Sequence, residues 1–276
     1  MEKKSFLAEY KTSAVLTIVM LVAVSGALYA QGYFANEKAQ LNPAVFKEMK
    51  VKVVFDGQDP ELLAYIPASR LSEFQTLMGD PLPGEGAMVM GFEEARDMAA
   101  ESNITISQAL WGYNMNDFLG GSIKVTGMLK KTNSLIDMMH ILSEGTFNYF
   151  PAGEWIEVKL TAEKMPKFFY YINKDGSNWP KNITFEAGDM SDLSPQLVER
   201  TFVDRSIGRF SVQIRENKTY QPLVLGSGEA KMMMDEKILA NVGDRLDGFF
   251  GRDVYVAGVL APTGTVLDMF HYMPAG

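Results

Sequence analysis

Apolar residues are distributed along this chain in three distinct patterns, each implying a different kind of element. From Thr12 to Asn36 they form a 25-residue run without a charge, enough helix to cross a hydrocarbon layer of about 30 Å. Further on they alternate with polar residues, as in Ile156, Val158 and Leu160 and in Phe210-Ser-Val-Gln-Ile214, or gather in the bulky β-prone run Phe168 to Ile172; Val51 to Phe55 also reads as a strand. Elsewhere the spacing is helical. Ser69 is placed to cap a short helix carrying Leu71, Phe74 and Met78, Asn42-Pro43 is an N-cap followed by proline, and Ser194-Pro195 begins another helix. Asp80 to Gly86 breaks the chain, and Glu144 to Glu154, with Gly145, Pro151 and Gly153, is the expected boundary between two halves.

Two blocks recur across that boundary. Ala87-Met-Val-Met-Gly-Phe-Glu-Glu-Ala-Arg-Asp-Met98 matches Pro222-Leu-Val-Leu-Gly-Ser-Gly-Glu-Ala-Lys-Met-Met233. Gly120 to His140 then matches Gly251 to His271 without a gap, with eight of 21 positions identical, and the spacing between blocks differs by four residues. Each unit predicts a strand ending at a glycine, a helix beginning at Glu-Ala, and an alternating strand, Ile123-Lys-Val-Thr or Val254-Tyr-Val-Ala. Gly127 and Gly258 follow as sites of close approach or a bulge, then a polar turn, Thr-Asn-Ser or Thr-Gly-Thr; Gly243-Asp244 makes another turn. The expectation is an α+β fold with an N-terminal transmembrane helix and two related β-rich units, an internal duplication. Its parts are a cytoplasmic stub 1–11, the span 12–36, and extracytoplasmic units 37–145 and 146–276.

Charge sets the orientation. Lys3, Lys4 and Lys11 outweigh Glu2 and Glu9 before the span, which keeps that end in the cytoplasm and the remainder outside. A cleaved signal peptide competes, with Leu28-Tyr29-Ala30 as an imperfect cleavage site; the length of the run and the interfacial aromatics Tyr29, Tyr33 and Phe34 favour a retained helix. Three sequons, at Asn103, Asn182 and Asn217, are compatible with an outside location. The net charge of −8 argues against nucleic acid as partner, and the absence of cysteine excludes disulfides and thiolate chemistry.

The order of the second block resembles the end of the extracytoplasmic core domain of MacB-like ABC-transporter permeases. The residues that carry the likeness are Leu225-Gly226, Glu229-Ala230, Val242-Gly243-Asp244 and Val256-Ala-Gly-Val-Leu-Ala-Pro-Thr-Gly-Thr-Val-Leu-Asp268. It covers about 50 residues well and the first half more weakly. Those permeases carry further membrane helices after the domain, whereas this sequence stops at Gly276. The resemblance therefore implies an extracytoplasmic α+β module used for contacts, not a transport activity.

Both histidines of the chain occupy equivalent positions, Asp137-Met-Met-His140 and Asp268-Met-Phe-His271. A carboxylate and an imidazole three residues apart share a helical face, which suits zinc, iron or manganese, and Met138, Met139, Met269 and Met273 would add soft donors for copper(I). If the halves packed about a twofold axis, Asp137, His140, Asp268 and His271 would converge on one ion. Against this, a strand would send Asp and His to opposite faces, and duplication repeats structural residues as readily as ligands. Lys231-Met-Met-Met-Asp235 reads as core or interface, and Glu93-Glu94 as a solvated helix start. No nucleophile elbow, phosphate loop or dinucleotide fingerprint appears, so an enzyme is not expected. The preferred expectation is a partner-binding accessory or assembly subunit of a membrane complex or transport system. A membrane-anchored metal-binding protein is the first alternative and an extracytoplasmic hydrolase the second.

Overall fold

The computed structural model describes residues 41–276 except 58, 102–105, 107–110, 174, 181, 182, 184, 187–212, 216 and 276. The expected span 12–36, the helix at Ser194-Pro195, the run Phe210 to Val212 and the sequons at Asn103 and Asn182 lie outside these. Among the described residues no helix is long and apolar enough to cross a membrane. Asn217 lies in an exposed turn with φ +64°.

The chain is α+β and rich in strands. Helix α1 (Pro43–Glu48) starts as its sequence predicts: the Asn42 side chain accepts from the Ala44 amide at 3.0 Å, and proline fills the first turn. Strands β1 (Lys50–Asp56) and β2 (Asp59–Tyr65) form a hairpin. Helix α2 (Ala68–Leu71) is one turn long and follows Pro67, not Ser69; Met78 belongs instead to β3 (Thr76–Gly79). A helical spacing of three apolar residues is too few to hold a helix when the chain has a sheet edge to join. Next come β4 (Ala87–Met90), α3 (Phe92–Glu101), β5 (Asn114–Phe118), β6 (Gly121–Leu129), a 3₁₀ turn (Leu135–Met138), β7 (His140–Leu142) and α4 (Glu144–Tyr149). The expected boundary at 144–154 thus contains a short helix capped by Ser143. The remainder is β8 (Glu154–Leu160), β9 (Pro166–Ile172), β10 (Phe185–Glu186), β11 (Gln213–Arg215), β12 (Lys218–Leu225), α5 (Ser227–Asp235), β13 (Arg245–Phe249), β14 (Arg252–Leu260), a second 3₁₀ turn (Val266–Met269) and β15 (Phe270–Pro274).

The main sheet runs β10-β14-β12-β15-β9-β8-β1-β2-β7-β4-β6-β3, with β5, β11 and β13 pairing beside this path. Its centre is the antiparallel β1–β8 contact, where Val51 faces Ile156. Outward from there the order is 1-2-7-4-6-3 on one side and 8-9-15-12-14-10 on the other. Parallel pairs fall at matching places, β2 with β7 and β9 with β15, β4 with β6 and β12 with β14. The register jumps at matching residues too: Met88 faces Val125 but Val89 faces Gly127, and Leu223 faces Val256 but Val224 faces Gly258. These are bulges with Thr126 and Ala257 as the extra residues. Gly127 is required there, since a Cβ on it would lie 2.1 Å from the Asp80 carbonyl oxygen.

Among the described residues, one face of the sheet carries a single apolar cluster that crosses the centre, from Val89 and Ile141 through Val51 and Ile156 to Tyr170, Val224 and Tyr272. The opposite face carries two. Met88, Met90, Ala95, Phe118 and Phe147 pack under α3 and α4, and Phe169, Leu223, Leu225, Ala230 and Met233 pack under α5. Met233 of the triple methionine is buried and Met234 packs partly on the same cluster, as expected for core filling. Lys52 is buried as well; its amine donates to the Phe147 and Phe150 carbonyls at 2.7 and 3.1 Å, satisfying the C-terminus of α4.

Candidate functional site

The four residues singled out by sequence divide by type. Asp137 and Asp268 organise turns. One Asp137 oxygen accepts from the Thr132 amide (2.7 Å) and hydroxyl (2.8 Å), the other from the Asn133 amide (2.8 Å). Asp268 does the same for Thr263 and the Gly264 amide. The chain passes from a 3₁₀ turn into β7 at Met139, so Asp137 and His140 do not share a helical face. Nor do the two halves converge on one ion: β7 and β15 are five strand spacings apart, roughly 24 Å at about 4.8 Å per spacing. Met138, Met139 and Met269 belong to or pack on the cluster of one sheet face, and Met273 joins the cluster beneath α5.

The histidines have other neighbours. His140 stands on β7 between Leu63 of β2 and Met90 of β4, which orients its ring toward α3 and against Phe118, 4.8 Å between centroids. Two carboxylates meet it there. Glu61, two residues before Leu63 on β2, places an oxygen 3.4 Å from Nδ1; Glu94, in the first turn of α3, places one 3.3 Å from Nε2. The three residues offer ligand atoms all within 4.8 Å of one another. His140 is 2% exposed, and among the described residues its Nδ1 has no hydrogen-bond partner. Burial works against charge on the imidazole, but the carboxylates of Glu94 and Glu61 outweigh it and hold the His140 pKa above the ordinary histidine value. Burial also drives the Glu61 carboxyl up, with His140 opposing, whereas at Glu94 the pull of His140 outweighs burial and the result is downward.

His271 occupies the matching place on β15. It faces Phe169 of β9 and Leu225 of β12, and its ring stacks on Phe169 at 4.8 Å. Glu229 of α5 approaches Nε2 at 3.4 Å, as Glu94 approaches His140. Lys167, two residues before Phe169, stands where Glu61 stands on β2, and its amine meets Glu229 at 2.6 Å. One half therefore sets two carboxylates against its histidine, and the other an ammonium and a carboxylate. Burial first, and then the charge of Lys167, drives the His271 pKa down to about 3, so this ring is neutral.

Glu61 and Glu94 escape the sequence reading for different reasons. Glu94 belongs to the Glu-Ala pair shared with Glu229, a signal that was present; the expected solvated start describes neither glutamate, since Glu93, 19% exposed, pairs with Arg96 and Lys131, and Glu94, 29% exposed, meets His140. Glu61 lies outside both repeated blocks and reaches His140 only through the parallel pairing of β2 with β7. An open groove lined by Met234, Lys237, Ile238, Leu239, Asn241 and Asp244 contains neither histidine. No protein family, curated protein or solved structure gives a match to the chain.

Proposed function

We propose that the chain is an outward-facing binding module, anchored by residues 12–36, that serves as an accessory or assembly subunit of a membrane complex or transport system. The observation that carries this reading is an apolar, aromatic rim at one edge of the sheet. Strand β3 ends the strand order; its own Leu77 is 47% exposed, and Leu82, Trp111 and Tyr113 outside the strand are 41, 56 and 49% exposed. Trp111 lies against Gly79 of β3, where an added Cβ would come within 2.9 Å of its indole nitrogen. Exposed Trp and Tyr beside an edge strand that pairs on one side only, with β6, are the composition of a contact surface, with main-chain groups for strand addition and rings for anchoring. The resemblance to the extracytoplasmic domain of MacB-like permeases is of the same kind, a module of contacts.

The two-unit organisation, 37–145 and 146–276, belongs to this proposal as an internal duplication. Its support is the agreement of strand order, bulges and left-handed residues: Leu119-Gly120 and Asn133 recur as Phe250-Gly251 and Gly264, all with positive φ. Photo-crosslinking in native membranes, with the probe at position 111 or at exposed Glu163 as control, tests the contact surface. A discrete adduct confined to position 111 and lost in Leu77→Ser supports the proposal, and identical patterns at both positions overturn it. Release of the full chain from membranes by alkaline carbonate would overturn the anchor.

A further inference from the structure

We propose that Glu61, Glu94 and His140 bind one divalent transition-metal ion of the zinc class. The inference is independent of the contact surface at β3. Its starting point is the contrast between the two halves, which place a charge at the same point of the sheet in different ways.

In the second half Lys167 lies between the strand and α5 and neutralises Glu229, with an ammonium to oxygen distance of 2.6 Å. With His271 neutral, the sum over Lys167, Glu229 and His271 is zero. The first half puts Glu61 in the place of Lys167 and leaves two carboxylates around a histidine. With a neutral imidazole the sum is −2, which one divalent cation cancels. A proton on the ring cancels half of it. Two partly buried carboxylates whose oxygens lie within 4.8 Å of each other and of one nitrogen of a nearly inaccessible ring are costly without a cation, because the local dielectric is low and neither can turn fully to water.

The donor set agrees with this occupant. One imidazole nitrogen and two carboxylate oxygens form a borderline-hard set that suits zinc or manganese and excludes the thiophilic copper(I) site. His140 is almost wholly buried, yet among the described residues its Nδ1 makes no hydrogen bond, and it faces Glu61 at 3.4 Å, a separation a shared ion would bridge. The Glu61 and Glu94 side chains keep 28 and 29% exposure, so an ion has an entry path and room for water as a fourth ligand. Phe118 walls the site on one side and Met90 is the strand neighbour of His140.

The test is zinc titration of the purified full chain, stripped with a chelator and followed by calorimetry and thermal melting, with manganese as second probe. Zinc binding at one equivalent that raises the melting temperature supports the site. Glu61→Lys copies the second half's own arrangement and supplies an internal cation, so it is expected to keep the fold, lose zinc by at least about 100-fold, and no longer respond in the melt. Should Glu61→Lys not fold, Glu61→Gln with a loss of at least about 10-fold carries the same test. Absence of stoichiometric zinc or manganese uptake by the unsubstituted chain overturns the proposal. So does unchanged affinity in a folded Glu61 variant.

Discussion

Replacing Lys167 by methionine isolates the energetics of the buried ion pair beneath α5. The Lys167 amine and the Glu229 carboxylate are 2.6 Å apart, and the two residues are 6 and 2% exposed. Methionine retains the apolar stem, so the principal loss is the charge. Removing one member of a buried pair costs about 3–5 kcal/mol because the other is left uncompensated, a large share of the roughly 5–15 kcal/mol typical of a folded domain. With a urea m-value of about 2.5 kcal/mol/M, a 4 kcal/mol loss moves the unfolding midpoint down by about 1.6 M. Tryptophan fluorescence during urea unfolding reads this directly. The loss also depends on pH. Burial pushes the Glu229 carboxyl up, against the pull of Lys167, and removing that lysine raises it further. A carboxyl with a raised folded pKa holds its proton in the folded state more tightly than in the unfolded chain. The deficit relative to the unsubstituted protein is therefore largest at neutral pH and shrinks as pH falls through the folded pKa. Adding Glu229→Gln is expected to recover most of it, since the stranded charge is then gone. A cost below about 1 kcal/mol at pH 7.5, a deficit that grows on acidification, or a double variant as unstable as the single one would refute the reasoning.

Three further outcomes follow from the same geometry. His271, driven from 6.5 to about 3 by burial and Lys167, takes up a proton on unfolding, so its neutral burial favours the fold above pH 6.5 and is progressively lost below it. Between pH 7.5 and 5.5 the unsubstituted chain should lose about 1.4 kcal/mol more than His271→Phe, and parallel urea-derived stability profiles would contradict this. Gly226→Ala would set a Cβ 2.3 Å from the Asp268 carbonyl oxygen, and Gly91→Ala one 2.2 Å from that of Ile136. Each should destabilise by about 1–3 kcal/mol in chemical denaturation, and a neutral effect would mean that the strand-to-turn approach relaxes freely. Asp137→Ala removes the acceptor for three donors of one turn and should lower stability by about 1–3 kcal/mol while leaving zinc affinity unchanged; a specific loss of zinc would return Asp137 to the ligand set.

Local pattern was enough for much of the fold. Alternation marks β8, bulky residues mark β9, and Asn42-Pro43 announces α1, because these choices depend on side chains within a few residues of one another. The repeated glycines announce the bulges at Gly127 and Gly258 for the same reason. Short range is also where this reading fails. Phe74 and Met78 have helical spacing, but Met78 pairs with Met128 in a sheet, a partner that no local spacing reveals.

The histidines show the division most clearly. Sequence alone determined that His140 and His271 end two matching blocks and that each follows an aspartate by three residues. It could not determine which carboxylates meet them, since that depends on the backbone changing from 3₁₀ turn to strand at Met139 and on β7 lying between β2 and β4. The turn commits Asp137 to backbone amides, while the parallel pairing brings Glu61 from 79 residues earlier to the imidazole. Tertiary structure also decided the difference between the halves, because Glu61 and Lys167 become counterparts only when each strand is registered against its histidine. Periodicity is a property of neighbours along the chain, whereas the charge around a buried ring is set by whichever strands the sheet places beside it.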